Sequence, residues 1–396
     1  MSRSKYVSVG PTGGLILDSK YDDFATNAAV AELRDKIVEV RDEIRRASAA
    51  GTRLSPKTNL FVEHLPERST LSIATSYVEG QVSYGIDHGW VSVSNDGWES
   101  KTNGVNYSTE YGYITRFCVW SDGTFVALTN QGNIIRFDDI DLSNLRETLN
   151  TDGRVSNPIS ISFWEDGVNR IVLVGDYEQN TSYAPKLYLS LDGGDTFNVI
   201  LEGKTGSVNN HWHATCYDKF SGTIWASQGD GSSATTYYSA DLGKTWEEAS
   251  NTVSGRTSYA QPTLILPFPD RVVFGRDGAG IPPGLDQWVR GEKKTPSEIK
   301  LPSPAFEFRT EHGAHVFYPT LGNACIVNGK PHEAYLSFPS QVSNELSYIF
   351  ATGDGGESWH MVYAGSSKLE VAGNNGEFLF LKQGLNLYRS RLIEWG

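Results

Sequence analysis

His211, Trp212 and His213 form the densest group of chemically versatile side chains in this sequence. If they lie in a β-strand, the two imidazoles point to the same side, about 7 Å apart. Such a pair can transfer protons, supply two metal ligands or line a polar channel. Because the sequence does not locate a third ligand, we assign no metal and no cofactor. Polar lining or contact with a sugar is the favoured interpretation.

Asp176, Asp230 and Asp277 follow three successive apolar runs, in Val-Gly-Asp-Tyr, Gln-Gly-Asp-Gly and Gly-Arg-Asp-Gly. Aspartate beside glycine is typical of turns, where the carboxylate accepts backbone N–H groups. The alternative is an acidic rim that hydrogen-bonds sugar hydroxyls or holds a cation. No catalytic residue can be assigned, and the candidate ligand-binding residues are His211, Trp212, His213, Asp176, Tyr177, Asp230, Arg276, Asp277, Arg309 and His312.

Short β-strands must position these side chains, because apolar, β-branched and aromatic runs alternate with turn residues from about residue 60 onward. The runs form seven sets of three, and each set is expected to be followed by an outer fourth strand. The 40 glycines suit an all-β chain with many tight turns. Six or seven units are compatible with the pattern, and we favour seven. The terminal strands are expected to close the ring, since closure removes open sheet edges.

One turn pattern, Ser/Thr-x-Asp-x-Gly-x-x-aromatic, occurs three times in full and once, from Ser94, in degenerate form. The carboxylate can accept backbone N–H groups, the glycine takes a positive φ, and the aromatic ring packs beneath the hairpin. Ser190 and Ser239 lie 49 residues apart, a period typical of β-propellers. The residues assigned this structural role are Ser190, Asp192, Gly194, Phe197, Ser239, Asp241, Gly243, Trp246, Asp354, Gly356 and Trp359.

This turn resembles the Asp-box, or bacterial neuraminidase repeat, of sialidase-like β-propellers. The resemblance implies that residues 60–396 form an Asp-box propeller, with the ligand site on the face opposite the boxes. For an active sialidase it also implies three arginines that clamp a carboxylate, a Tyr–Glu nucleophile pair and an aspartic acid. Arg116, Arg276 and Arg309 are candidates for the clamp, but none lies in a matching motif. We therefore do not expect sialidase activity.

The first 60 residues have a different character. Residues 1–24 are expected to form an irregular attachment segment. A heptad stripe then predicts a helix over 25–51, whose narrow apolar seam favours a parallel coiled coil, with a trimer preferred to a dimer. The alternative packs this helix against its own propeller. The stripe consists of Val30, Leu33, Ile37, Val40 and Ile44.

The formal net charge of −13 argues against nucleic acid or an anionic membrane as the main partner. No apolar run is long enough to span a bilayer, and the N-terminus lacks a signal-peptide core. The three cysteines are widely separated, which fits a reducing compartment better than a disulfide scaffold. We therefore expect synthesis in a reducing cytosol.

The layout of a short N-terminal segment, a heptad helix and a large all-β domain resembles that of bacteriophage tail adhesins and spikes. The resemblance implies a homo-oligomeric protein of the virion tail. Its N-terminus would bind other tail proteins, and its propeller would bind a host cell-surface polysaccharide. Two alternatives stay open: a glycoside hydrolase or polysaccharide lyase on the same fold, and a structural virion protein without a ligand.

Overall fold

A computed structural model describes residues 8–9, 15–16, 55–69, 72–75, 82–87, 90–106, 111–155, 160–165, 169–177, 182–206, 210–230, 234–249, 262–276, 284–291, 297–299, 324–338, 347–365, 368–384 and 386–396. The chain divides into two compact units, Met1–Leu54 and Ser55–Gly396. In the first unit, β1 (Ser8–Val9) pairs antiparallel with β2 (Leu15–Ile16), within the segment that is expected to be irregular. The helix predicted over 25–51, with its heptad stripe, lies outside the described residues.

The second unit consists of seven four-stranded antiparallel sheets, which are the blades of a β-propeller. Blades 1 to 3 contain β4 (Ser72–Thr75), β5 (Ser83–Asp87), β6 (Trp90–Ser94), β7 (Thr102–Asn106); β8 (Ile114–Val119), β9 (Phe125–Thr129), β10 (Asn133–Phe137), β11 (Arg146–Asn150); and β12 (Ile161–Glu165), β13 (Arg170–Gly175), β14 (Lys186–Ser190), β15 (Asn198–Glu202). Blades 4 and 5 contain β16 (Trp212–Asp218), β17 (Thr223–Gln228), β18 (Thr235–Ser239), β19 (Glu247–Glu248); and β20 (Pro262–Pro267), β21 (Arg271–Arg276), β22 (Leu285–Val289), β23 (Ser297–Ile299). Blades 6 and 7 contain β24 (Ala324–Val327), β25 (Lys330–Phe338), β26 (Ser347–Thr352), β27 (His360–Gly365); and β28 (Glu370–Asn374), β29 (Phe378–Gln383), β30 (Asn386–Arg391), β3 (Glu63–Ser69).

The ring closes through the two ends of this unit. Strand β3 is the outermost strand of blade 7 and pairs antiparallel with β30, the last strand of the chain. The first strands of neighbouring blades contact one another, which places them around the central axis. The predictions of an all-β propeller, of seven blades and of closure by the terminal strands are confirmed. Within the described part of the chain, no helix is long and apolar enough to cross a membrane.

The hydrophobic core lies between the blades. Among the described residues, every neighbouring pair of blades shares a cluster of buried apolar side chains, including the pair formed by blades 7 and 1. Strands such as Phe125–Thr129 and Ser347–Thr352 are buried along their whole length, because each blade has another blade on both sides. Burial of this surface is the main term that favours the closed ring.

Four turns with one hydrogen-bond pattern connect the third and fourth strands of blades 1, 3, 4 and 6. We call them the acidic turns (residues 94–101, 190–197, 239–246 and 352–359). In the second of them, the Ser190 hydroxyl donates to Asp192 (2.7 Å) and accepts from the backbone N–H of Gly194 (2.8 Å). The Asp192 carboxylate accepts from both the backbone N–H and the hydroxyl of Thr196 (3.0 and 2.6 Å). The other three turns repeat these bonds.

These hydrogen bonds stabilise the ionised carboxylates. Burial opposes ionisation of Asp96, but hydrogen bonds from Ser100 lower its pKa to about 2. Hydrogen bonds from Thr245 lower the pKa of Asp241 to about 2 as well. Hydrogen bonds likewise outweigh burial and lower the pKa of Asp192, so Asp96, Asp192 and Asp241 are charged acceptors at neutral pH.

The turn from Ser94 departs from the others in one respect. Trp98 takes the position that glycine occupies in the full copies, with a φ of 70°. Its ring is buried among Leu65, Phe380 and Leu387 of blade 7, while Trp359 of the last turn packs on Phe268 of blade 5. Each of these rings thus fills the gap between its own blade and the preceding one.

The topology places the candidate site on the side away from the acidic turns. In an antiparallel blade, turns from first to second strand and from third to fourth strand emerge on one face, which we call the turn face. Turns from second to third strand, and the crossings between blades, emerge on the other, which we call the mouth face. His211, which precedes β16, and the pairs Gly175-Asp176 and Gly229-Asp230, at the ends of β13 and β17, therefore lie on the mouth face.

Candidate functional site

Four side chains from blades 3 and 4 converge at the mouth face. The His213 Nε2 atom lies 3.0 Å from Asp230 Oδ1, and the His211 Nε2 atom lies 3.6 Å from Asp230 Oδ2. The two Nε2 atoms are 2.7 Å apart. The ring of Tyr177 lies against His211, with centroids 4.2 Å apart. We call His211, His213, Asp230 and Tyr177 the mouth cluster.

The two imidazoles are closer than a regular strand would place them. Their ring centroids are 4.6 Å apart, against the predicted separation of about 7 Å. His211 precedes β16, and the pairing of β16 with β17 shifts register between Trp212 and Ala214. This bulge brings the rings together. The prediction that they share one side was consistent with the structure, but the predicted spacing was wrong.

Backbone contacts hold the mouth cluster in place. The His211 carbonyl accepts from the Gly229 N–H (2.8 Å), and the Trp212 N–H donates to the Asp176 carbonyl (3.0 Å). The Gln228 side chain donates to the Asn210 carbonyl (3.0 Å). Both histidines are buried, whereas the Asp230 side chain is 29% exposed. Backbone hydrogen bonds therefore fix the base of the cluster, and Asp230 is more accessible to solvent than either histidine.

The charge of Asp230 is supported by the imidazoles. Burial opposes its ionisation, but a hydrogen bond from His213 and the electrostatic effect of the His213 and His211 rings lower the pKa of Asp230. The Nδ1 atom of His213, on the other side of the ring, is buried and has no hydrogen-bond partner among the described residues.

Asp176 occupies the same place in blade 3 as Asp230 in blade 4, but it is fully buried. Its Oδ2 atom accepts from the Tyr183 hydroxyl (2.6 Å) and from the Lys186 N–H (2.8 Å). Burial raises the pKa of Asp176 above its usual value. This carboxyl fastens the turn, which is the structural alternative considered for the Gly-Asp pairs.

Trp212 does not face the mouth. Its ring is fully buried against Leu187 and Ala226, and its Nε1–H donates to the Pro185 carbonyl (3.1 Å). A Cβ on Gly175 would lie 2.5 Å from the Trp212 Cβ, so this close approach of blades 3 and 4 requires glycine. Trp212 is therefore a packing residue that supports the two histidines on either side of it.

Arg276, the remaining predicted site residue that the structure describes, is not part of the cluster. Arg276 is buried and makes two hydrogen bonds of 2.6 Å to Asp286 of the neighbouring strand. Asp277, Arg309 and His312 lie outside the described residues. Arg276 therefore serves an ion pair inside blade 5, and Arg116, the other described candidate for the clamp, lies in β8 of blade 2.

Two aromatic side chains extend the mouth face into blades 1 and 2. Trp90, the first residue of β6, is 39% exposed, and Tyr113, just before β8, is 48% exposed. Tyr113 holds the same place in blade 2 as His211 in blade 4. The sequence signal that locates it is an aromatic residue directly before the first strand of a blade, which the sequence analysis did not use.

Arg154 is a further mouth residue that the sequence analysis missed. It lies in the crossing from blade 2 to blade 3, where its carbonyl accepts from the Tyr177 N–H (2.8 Å). Its guanidinium lies 4.4 Å from the centroid of the Tyr183 ring. The mouth therefore carries a cation beside the acidic and aromatic groups. Together they can donate and accept hydrogen bonds, stack on a flat apolar surface, move a proton or bind an ion.

Comparisons with known proteins identify the fold. No protein-family profile matches this chain, and no curated protein matches its sequence. Among solved structures, the chain is similar to a catalytically inactive virginiamycin B lyase from Staphylococcus aureus with quinupristin, with a TM-score of 0.55, 14% identity, and coverage of 84% of this chain and 99% of that chain. A streptogramin B lyase is similar with a TM-score of 0.55 and 11% identity, and the match covers 85% of this chain and 98% of that chain. YCF48 bound to a D1 peptide is similar with a TM-score of 0.54 and 12% identity, and the match covers 86% of this chain and 97% of that chain. These similarities establish a β-propeller, a fold that is compatible with ligand binding, and carry no function across.

Proposed function

We propose that this chain is a receptor-binding protein of a bacteriophage tail, and that its mouth face binds a host cell-surface glycan. The observation that carries the proposal is the gathering of aromatic and hydrogen-bonding side chains from blades 1 to 4 on one face. Trp90, Tyr113 and Tyr177 offer rings, while His213 and Asp230 offer polar atoms. Sugars present apolar C–H faces and hydroxyl groups, which match such a surface.

The acidic turns support the same proposal. Their hydrogen bonds are those expected of Asp-box turns, and propellers with such turns resemble tail-associated adhesins. The turns lie on the opposite face, so the mouth face is free to vary with the ligand. The net charge of −13 favours a neutral or cationic ligand surface over nucleic acid.

A binding experiment with host cell-surface polysaccharide tests the glycan site. Tyr113→Ala and Trp90→Ala should each weaken binding by about two- to tenfold, since a stacked aromatic contributes about 0.5–1.5 kcal/mol. Leu191→Ala is the matched control, because Leu191 is 48% exposed but belongs to an acidic turn on the opposite face. Equal binding by the wild type and both mouth variants, or equal weakening by the control, would contradict a mouth-face site.

Attachment to the virion and oligomerisation form the second part of the proposal. The heptad stripe over 25–51 would form a trimeric coiled coil, so that several weak propeller sites act together by avidity. Residues 1–24 would bind other tail proteins, after synthesis in the bacterial cytoplasm. Mass measurement in solution should give a trimer for the full chain and a monomer for a chain that begins at Ser55. A monomeric mass for both the full chain and the shortened chain would refute the coiled coil.

A polysaccharide-degrading enzyme is the second candidate, and one observation favours it. The carboxylate of Asp230 lies 3.0 Å from His213 Nε2, and Tyr177 lies beside the imidazoles. A histidine oriented by a carboxylate can act as a general base, with a tyrosine as the acid. New reducing ends or unsaturated products that disappear in His213→Ala would establish an enzyme. Failure of the full chain to bind or cleave any host polysaccharide would instead favour the structural virion protein.

A further inference from the structure

The mouth cluster has more ligand-type atoms at close range than hydrogen bonding can satisfy. The Nε2 atoms of His211 and His213 and the carboxylate of Asp230 all lie within 4.8 Å of one another. An imidazole nitrogen has one site in the plane of the ring, either a proton or a lone pair. His213 Nε2 faces both His211 Nε2, at 2.7 Å, and Asp230 Oδ1, at 3.0 Å. A proton at His213 can serve only one of these two contacts well.

A metal ion at the centre resolves this conflict, because all three side chains then direct a lone pair at it. Zinc lies about 2.0–2.1 Å from nitrogen and oxygen ligands. Neighbouring ligand atoms at that distance are separated by about 2.9 Å in an octahedral site and about 3.3 Å in a tetrahedral one. The observed separations of 2.7, 3.0 and 3.6 Å bracket these values. These distances involve both oxygens of Asp230, with Oδ1 toward His213 and Oδ2 toward His211, so the carboxylate can offer one oxygen or both to the ion.

We propose that His211, His213 and Asp230 form a binding site for a divalent transition-metal ion of the zinc type. Two imidazole nitrogens and one carboxylate suit zinc, whereas calcium and magnesium prefer sites made entirely of oxygen. The backbone bonds at His211 and Gly229 fix the first histidine. The Tyr177 ring packs on the imidazole of His211 and limits its rotation. The site is therefore assembled before the ion arrives.

Three protein ligands leave at least one coordination position open, as in metal sites that also bind a substrate or a solvent molecule. The histidines are buried, and Asp230 is the exposed member, so the open position faces the mouth. This consequence rests on the proposed function: an oxygen atom of a bound glycan would complete the coordination. The metal site itself does not depend on that proposal.

Metal titration of the full-length protein tests the site. Protein treated with EDTA and returned to metal-free buffer should bind Zn²⁺ with one ion per chain, measured by isothermal titration calorimetry, and should bind Mg²⁺ and Ca²⁺ far more weakly. Asp230→Asn and His213→Gln should each weaken Zn²⁺ binding at least tenfold, since loss of a second-shell partner alone costs about 10–100-fold. His360→Gln, which removes a histidine of blade 6, should bind like the wild type.

The thermal unfolding of each metal-free variant serves as the folding control. Asp230 is partly exposed, so Asp230→Asn keeps the test valid even if His213→Gln fails to fold. Wild-type protein without saturable Zn²⁺ binding, equal Zn²⁺ affinity in wild type and Asp230→Asn, or Ca²⁺ affinity equal to that for Zn²⁺ would each overturn the proposal. No glycan is present in this assay, so its failure leaves the proposed function standing, and loss of glycan binding alone leaves the metal site standing.

Discussion

Replacement of Asp176 tests whether two aspartates at equivalent places in neighbouring blades have different roles. Asp176 is fully buried, and its Oδ2 atom accepts two hydrogen bonds, from Tyr183 (2.6 Å) and from the Lys186 N–H (2.8 Å). Asp176→Ala leaves the half-buried Lys186 N–H without its side-chain acceptor, which costs about 1–3 kcal/mol. Loss of the bond from Tyr183 adds about 1 kcal/mol, because that hydroxyl is partly accessible to water. The free energy of unfolding should fall by about 2–4 kcal/mol.

Asp176→Asn separates the hydrogen bonds from the charge. The amide oxygen can replace Oδ2 as the acceptor, and the buried carboxylate no longer has to be desolvated. We therefore expect stability within about 1 kcal/mol of the wild type at neutral pH. Equilibrium denaturation in urea, followed by tryptophan fluorescence, measures both variants. Asp176→Ala as stable as the wild type would refute the assignment of this carboxyl to fastening the turn.

The pH dependence gives an independent check on Asp176. Burial raises its folded-state pKa above the unfolded value of about 3.9. The folded state therefore holds this proton more tightly, and the contribution of Asp176 to stability is lost as the pH rises through the folded pKa. The wild type should lose stability relative to Asp176→Asn as the pH rises from about 3.9 through the folded pKa of Asp176. A constant difference between wild type and Asp176→Asn across this range would count against a raised pKa.

Three further predictions concern the turn face. Arg290→Leu should lower the free energy of unfolding by about 3–5 kcal/mol in chemical denaturation, because the fully buried carboxylate of Asp218 loses its ion-pair partner. Replacement of both Arg290 and Asp218 by leucine should cost less stability than Arg290→Leu alone. If the double variant loses as much stability as Arg290→Leu, the unpaired carboxylate is not the cause. Gly243→Ala should lower stability by about 1–3 kcal/mol, because its φ is +86° and a Cβ would lie 2.8 Å from a neighbouring side chain; an unchanged melting temperature would contradict this. Asp96 and Asp241 have folded pKa values of about 2, so their stabilisation is present above the unfolded pKa of about 3.9 and is lost as the pH falls toward 2. In acid titrations, Asp96→Asn and Asp241→Asn should lose stability less steeply than the wild type as the pH falls. Parallel stability curves for variant and wild type would refute this prediction.

The acidic turns were predictable because their bonds are local. The hydrogen bonds that Ser190 and Asp192 make within their own turn join residues at most four positions apart, so the pattern of residue types specifies the geometry. One element of that pattern was missed: the residue four positions after each aspartate is always serine or threonine, and its hydroxyl completes the turn. Trp98 was less predictable, because its position is decided by a pocket in blade 7, distant in sequence.

The geometry of the mouth cluster was only partly predictable from the sequence. Alternation along a strand predicts that His211 and His213 share a side, and it equally predicts that Trp212 faces the opposite side, where it is buried. The bulge that brings the imidazoles together depends on the pairing of two strands and has no local signal. Asp176 and Asp230 have the same local sequence, Gly-Asp after a strand. Only their three-dimensional neighbours, a tyrosine hydroxyl for one and two imidazoles for the other, separate a buried carboxyl that fastens a turn from a partly exposed one at the mouth.

The position of the cluster follows from how the blades are tied together. On the turn face, side chains cross from one blade to the next: the Trp120 Nε1–H donates to the Gly193 carbonyl (3.0 Å), and Arg389 donates to the Gly97 carbonyl (2.9 Å). On the mouth face, a backbone hydrogen bond joins blades 3 and 4: the Trp212 N–H donates to the Asp176 carbonyl. A side-chain tie can be lost by one substitution, whereas a backbone tie survives changes of side chain. The mouth cluster lies beside this backbone hydrogen bond, so main-chain contacts, which do not depend on the identity of the cluster's side chains, fix its position between blades 3 and 4.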